Sequence, residues 1–310
     1  MARARTDPQR EPSPTSQEGP PPKYMELGAS LYLPATRLDL SGVLNQETLP
    51  SLRSVIVCTE DAVHERDLPA ALDNLGRTLP RLRRVSLYRF LRPRNPEVLA
   101  KIMRLDGLAN IDGVVLPKVD EEMLLHYAQI LAETPRLLLM PTLETDIVFS
   151  RARLERLGRQ LLELEHRILC LRIGGNDILH LLGLKRPKQV TLYETPLRAI
   201  INELIISFRP LGFELSSPVF EHVDSPHVLR AEVLLDLEHG LWSKTAIHPT
   251  QLTTIEDQYR VSATDRALAQ EVLATDAPAV FLSHGQMVEP GTHSHWAKRM
   301  LERAAVYGWD

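Results

Sequence analysis

With 310 residues, 44% of them apolar and 25% charged, the chain has the makeup of a globular protein that can bury a sizeable core, which excludes general disorder. A formal net charge of −4 lacks the basic excess that a phosphate-backbone partner requires, so nucleic acid is not expected, and the local run Arg81, Arg83, Arg84 reads as a solvated helix end. Cys58 and Cys170 each sit in a short apolar run and support neither a disulfide framework nor a zinc site; with no run of about 18 apolar residues and no apolar N-terminal stretch, a soluble cytoplasmic protein without a membrane partner is expected.

Residues 1–23 are rich in Pro, Ser and charge and hold almost nothing to bury, so a disordered leader is expected there. From Leu27 onward, short apolar runs recur at 29–33, 54–58, 85–88, 113–116, 137–140, 168–173, 213–215 and 245–247. Between them, helical periodicity covers 97–108, 121–133, 150–166, 196–209 and 226–239, several of these segments opening on Pro, Ser or an acid as helix starts do. Continuous apolar strands alternating with amphipathic helices predict a parallel sheet covered by helices. Eight such units predict an α/β protein of the (β/α)8 TIM-barrel type, with a barrel domain over 24–275. Further helical patterns at 265–274 and 295–307 follow the eighth strand, and 276–310 is expected to form a C-terminal helical extension outside the eight-fold unit. Trp296, Met300, Leu301, Val306 and Trp309 give this tail apolar surface that a closed barrel does not need, which predicts self-association.

In such a barrel the site lies at the C-terminal ends of the strands, so the residues just after each apolar run carry the information. In order they are Pro34 to Arg37, Glu60-Asp61, Arg92-Pro93-Arg94-Asn95, Pro117-Lys118, Glu144-Thr145, Gly174-Gly175-Asn176-Asp177, Ser216-Ser217 and His248-Pro249. Glu144 and Asp177 occupy corresponding places on adjacent strands, and two acids with positions left for water and substrate is how proteins hold Mg2+; the alternative is that both merely cap the following helices. Arg92 and Arg94 offer bidentate donors to a carboxylate or a developing enolate oxygen, and the spacing leaves open which of them faces the pocket. Lys118 either acts electrostatically or pairs with Glu60 or Asp61, and His248 is either a strand-end structural residue or a base. Pro34 and Ser216 complete the candidate substrate contacts. No nucleophile elbow or ordered Ser-His-Asp motif is present.

The stretches SLYLPATR, VIVCTEDAV, FLRPRNP, DGVVLPKVD, MPTLET, LRIGGNDILHLLG and KTAIHPTQL resemble, in order, the strand-end motifs of the citrate lyase β-subunit and HpcH/HpaI aldolase family, and GQMVEPGTHSHWAKRML resembles its C-terminal segment. The likeness spans about Leu27 to Leu301 and is closest to a divergent branch similar to proteins of tellurite-resistance and stress gene clusters. It implies a Mg2+-dependent barrel, a homotrimer or hexamer, that cleaves or forms a C-C bond in a carboxylate or acyl-thioester substrate. By position it implies that Glu144 and Asp177 match the metal ligands, Arg92 or Arg94 the substrate-binding arginine, and Glu60-Asp61 the acidic pair after the second strand. This chain differs in carrying Ser216-Ser217 where many relatives have an Asp, in lacking the glycine soon after Glu-Thr, and in placing Ser243 before Lys244. A thioester hydrolase on the same scaffold and a catalytically silent partner subunit are the alternative readings.

Overall fold

The computed structural model describes residues 23–164 and 167–310, so the expected leader lies outside the described residues except for its last residue, Lys23. Its centre is a parallel sheet of eight strands: β1 (Ala29–Pro34), β2 (Ser54–Cys58), β3 (Tyr88–Arg92), β4 (Gly113–Leu116), β5 (Leu138–Leu143), β6 (Leu171–Ile173), β7 (Leu215–Ser216) and β8 (Lys244–Ala246). Each pairs with its neighbour in chain order and β8 pairs with β1; a single parallel bridge from Ser217 to Lys244 brings β7 to β8 and completes the ring.

Helices α1 (Leu40–Leu44), α2 (Leu68–Thr78), α3 (Pro96–Ile102), α4 (Glu121–Ile130), α5 (Arg151–Leu162), α6 (Gly175–Leu181), α7 (Leu197–Phe208), α8 (Pro226–Glu238) and α9 (Thr250–Glu256) follow the strands, with both α6 and α7 after β6. Their starts are chemically marked. Asp120 accepts from the N–H groups of Glu122 and Met123 to open α4, and Asn95 accepts from Val98 N–H just before Pro96 opens α3. Burial then holds them on the sheet: α7 buries Leu197, Ile201, Leu204 and Phe208 along one stripe, each worth about 1.5–3 kcal/mol.

Several strand boundaries differ from the sequence expectation. The third strand is Tyr88–Arg92, not 85–88, because charged residues in YRFLR mask a strict alternation: Phe90 and Arg92 face the barrel interior and Arg89 and Leu91 face outward. The buried Arg89 donates to the carbonyls of Leu44, Arg83 and Asn110, which offsets part of the cost of burying its charge on the outer face. The fifth strand runs past Pro141 to Leu143, and the eighth begins at Lys244, whose ammonium is buried against Glu232 and Asp236 of α8 at 2.9 and 2.8 Å.

Beyond β8 come α10 (Ala263–Val272), a hairpin of β9 (Phe281–Ser283) and β10 (Gln286–Val288), and α11 (Pro290–Tyr307). This tail closes the N-terminal end of the barrel. Trp242, just before β8, is buried with the Arg299 guanidinium 3.9 Å from its ring centre, and its backbone N–H donates to Tyr24 OH at 2.8 Å. Of the tail residues expected to drive self-association, Met300 is buried within the chain and Trp296, Leu301 and Val306 are half-buried. Only Trp309 is exposed among them.

Candidate active site

At the opposite end, the C-terminal ends of β2 to β6 bring six charged side chains to one mouth. Arg92, the last residue of β3, is 6% exposed and bridges its neighbours: Nε donates to Glu60 Oε2 at 2.6 Å and Nη2 to Glu144 Oε1 at 3.0 Å, with Asp61 Oδ2 at 3.6 Å. Burial opposes its charge, but Tyr32, Glu144 and Glu60 outweigh that and hold the guanidinium cationic. Thr59 ties the strand ends together by donating its N–H to Arg92 O at 2.9 Å.

Lys118 follows β4 in the left-handed region (φ 51°), an uncommon backbone state for a side chain of this size. That turn aims its backbone N–H at Glu144 Oε1 at 2.8 Å and leaves Nζ half-exposed, 3.0 Å from Glu60 Oε1. Glu144 is therefore gripped on Oε1 by a guanidinium and a backbone N–H. Its other oxygen lies against Gly174, where an added Cβ would fall 2.2 Å from Glu144 Oε2; the first glycine of the Gly-Gly pair is there to let the carboxylate in. Burial, opposed by Arg92 and reinforced by the negative charges of Asp177 and Glu60, raises the Glu144 carboxyl to about 7. Burial also raises Glu60, again against Arg92.

Asp177 is half-buried in the first turn of α6. Neither it nor Glu144 takes a helix-capping hydrogen bond: Gly174 is the N-cap of α6 and Thr145 that of the turn after Glu144, both without a side-chain cap. Four carboxylates (Glu60, Asp61, Glu144, Asp177) thus share the mouth with two cations (Arg92, Lys118). No group of three or more His, Cys, Asp or Glu among the described residues is placed to hold a metal by itself. Two acids with solvent and substrate oxygens completing the shell suits a hard divalent cation, and a doubly positive ion balances the surplus negative charge.

The remaining candidates fall elsewhere. Arg94 turns away from the mouth and donates to the carbonyls of Glu60 and Val63, clamping the loop that presents Glu60. Pro34 ends β1 in register with Cys58, half-buried. Ser216 is fully buried and bonded to Ser243 O at 3.1 Å. His248 is exposed and pairs with Thr250 Oγ1 at 2.8 Å at the start of α9.

The sequence reading passed over two inward-facing residues. Tyr32 of β1 places its OH 3.4 Å from Arg92 Nη1, and its ring centre is 5.9 Å from the Arg92 guanidinium carbon and 5.7 Å from that of Arg172 on β6. Counting every second residue back from Pro34 and from Gly174 would have found both.

The family model described as "C-C_Bond_Lyase of the TIM-Barrel fold" matches residues 22–309. Among solved structures, CitE of Mycobacterium tuberculosis in complex with magnesium, acetoacetate and coenzyme A superposes with a TM-score of 0.66 at 24% identity, covering 91% of this chain and 99% of that one. A citrate lyase from Burkholderia xenovorans LB400 gives 0.71 at 16% identity, covering 92% and 93%. The M. tuberculosis citrate lyase β subunit complexed with oxaloacetate and magnesium gives 0.55 at 19%, covering 76% and 99%. At these identities the likeness is one of fold. No curated protein sequence matches the chain. Because the family model takes in nearly the whole chain, the protein belongs to the C-C bond lyase family of the TIM-barrel fold.

Proposed function

We propose that the protein is a Mg2+-dependent carbon-carbon lyase that cleaves or forms, in aldol or Claisen fashion, a C-C bond in a small carboxylate or its acyl thioester. The observation that carries this reading is the buried Glu60-Arg92-Glu144 bridge with Asp177 beside it, a mouth whose surplus negative charge a divalent cation would balance. Glu144 and Asp177 would hold the ion, and structural relatives carry magnesium with acetoacetate or oxaloacetate. When bound, it would supply Lewis-acid polarisation of a substrate oxygen.

The protein's own groups do the rest. Glu60 and Glu144 fix the plane of Arg92 and leave Nη1, whose contact is the long one to Tyr32 OH, to donate to the oxygen that gains charge as the C-C bond breaks. Lys118 Nζ, half-exposed and kept protonated by Glu60, adds positive potential on the solvent side and draws an anionic substrate in.

The test is incubation of the protein with citryl, malyl and citramalyl thioesters, with Mg2+ or with EDTA, measuring 2-oxo acid and free thiol separately. Metal-dependent release of 2-oxo acid without free thiol supports the lyase. Free thiol without 2-oxo acid makes it a hydrolase, and no turnover of any of these overturns the reading.

A further inference from the structure

Below the mouth, the barrel encloses a second cation. Arg172, the middle residue of β6, is 2% exposed and reaches across the lumen: Nη2 donates to Thr245 Oγ1 of β8 at 2.5 Å, Nη1 lies 3.8 Å from Met140 Sδ of β5, and the guanidinium faces the Tyr32 ring of β1. Among the described residues no carboxylate comes within 4.0 Å of it. A buried guanidinium held by a hydroxyl, a thioether and a ring face has given up its hydration without gaining a counter-charge. Its in-register neighbour on β5 is Thr142, also 2% exposed, whose Oγ1 has no hydrogen-bond partner among the described residues. Thr245 and Tyr32 are only half-buried, so solvent reaches the groups that Arg172 touches.

We infer that Arg172, with the hydroxyls of Thr142 and Thr245, forms a second anion subsite on the floor of the barrel, which takes a carboxylate of the substrate other than the one bound at the mouth. The arrangement has what such a group needs: a planar donor of fixed charge, an unused hydroxyl beside it, and Arg92 against the same Tyr32 ring to hold the other end of the molecule. Arg172 is then the residue that makes a second carboxylate on the substrate count, because a mono-acid leaves its buried charge uncompensated. This inference rests on the reading of the mouth as the substrate site.

The probes are (S)-malate and (S)-2-hydroxybutyrate, which share the 2-hydroxy acid end and differ in having a carboxylate or a methyl group at the other. Titration calorimetry of the full chain with Mg2+ should show malate binding at least about tenfold tighter. Arg172→Met should abolish that preference while hydroxybutyrate binding changes less than about twofold; a residue that only fills the barrel would weaken both acids alike. If Arg172→Met does not fold, Thr142→Val, which keeps shape and loses the hydroxyl, should weaken malate alone. Malate binding no tighter than hydroxybutyrate, absent binding included, or a preference that survives Arg172→Met, overturns the inference. A preference for malate that is the same in EDTA keeps the floor subsite and removes the metal-dependent reading of the mouth, so the two failures are told apart.

Discussion

Arg92 Nη2 lies 3.0 Å from Glu144 Oε1 although β4 runs between their strands; the guanidinium reaches across it, and the backbone N–H of Lys118, just past the end of β4, donates to the same oxygen. Three consecutive strands are thereby tied at their C-terminal ends by one carboxylate.

Breaking that tie on the cationic side should be costly. Arg92→Met leaves Glu60 and Glu144 buried without their shared counter-charge, and a loss of about 3–5 kcal/mol is expected by urea denaturation. Arg92→Lys keeps charge but not the fork, so it should recover part of the stability while turnover stays down by about 10²-fold or more.

Thermal melting with and without millimolar Mg2+ tests the acidic side. Removing either acid relieves repulsion between Glu144 and Asp177, so Glu144→Gln and Asp177→Ala should be as stable as the metal-free wild type or slightly more so. Only the wild type should melt higher with Mg2+. Equal destabilisation of both variants, with no metal response in any protein, would count against a shared cation.

Gly174→Ala probes the close approach directly. The new methyl would meet Glu144 Oε2 at 2.2 Å, and backbone or carboxylate must shift. We expect a loss of about 1–3 kcal/mol and no Mg2+-induced rise in Tm; a variant with wild-type metal response would show that Glu144 tolerates displacement.

Acid stability should depend on a cluster far from the mouth. Burial opposes the Glu232 carboxylate, but Lys244 and Arg186 outweigh it and hold its pKa below the usual value. In the window from the ordinary glutamate pKa of about 4.3 downward, the unfolded chain binds this proton more readily than the fold does. Stability from Glu232 is therefore full above that window and lost as pH falls through it. Glu232→Gln should flatten this acid limb of a Tm-versus-pH curve and cost several kcal/mol at pH 7, because Lys244 and Arg186 lose a buried counter-charge. An unchanged acid limb would remove Glu232 as its source.

How far the sequence determined this protein can be read from particular residues. Strand–helix alternation specified an eight-stranded parallel barrel, because fully buried strands must be continuous apolar runs. The residues following those runs named Glu60, Arg92, Lys118 and Glu144, because strand ends in such a barrel share one rim. Where a strand carried charge the apolar signal failed: YRFLR was misplaced by three residues, since periodicity cannot register an Arg89 satisfied by carbonyls from three other segments. Tertiary structure alone decided between Arg92 and Arg94, which differ by two residues and share the same inward parity. The strand carries Arg92 into the mouth, whereas the chain leaves the sheet after it and turns Arg94 onto the carbonyls of Glu60 and Val63. It also decided that Met300 is interior, because α11 packs across the bottom of the barrel, and that Arg172 has no carboxylate among the described residues in reach; both depend on which distant segments the closed ring brings together.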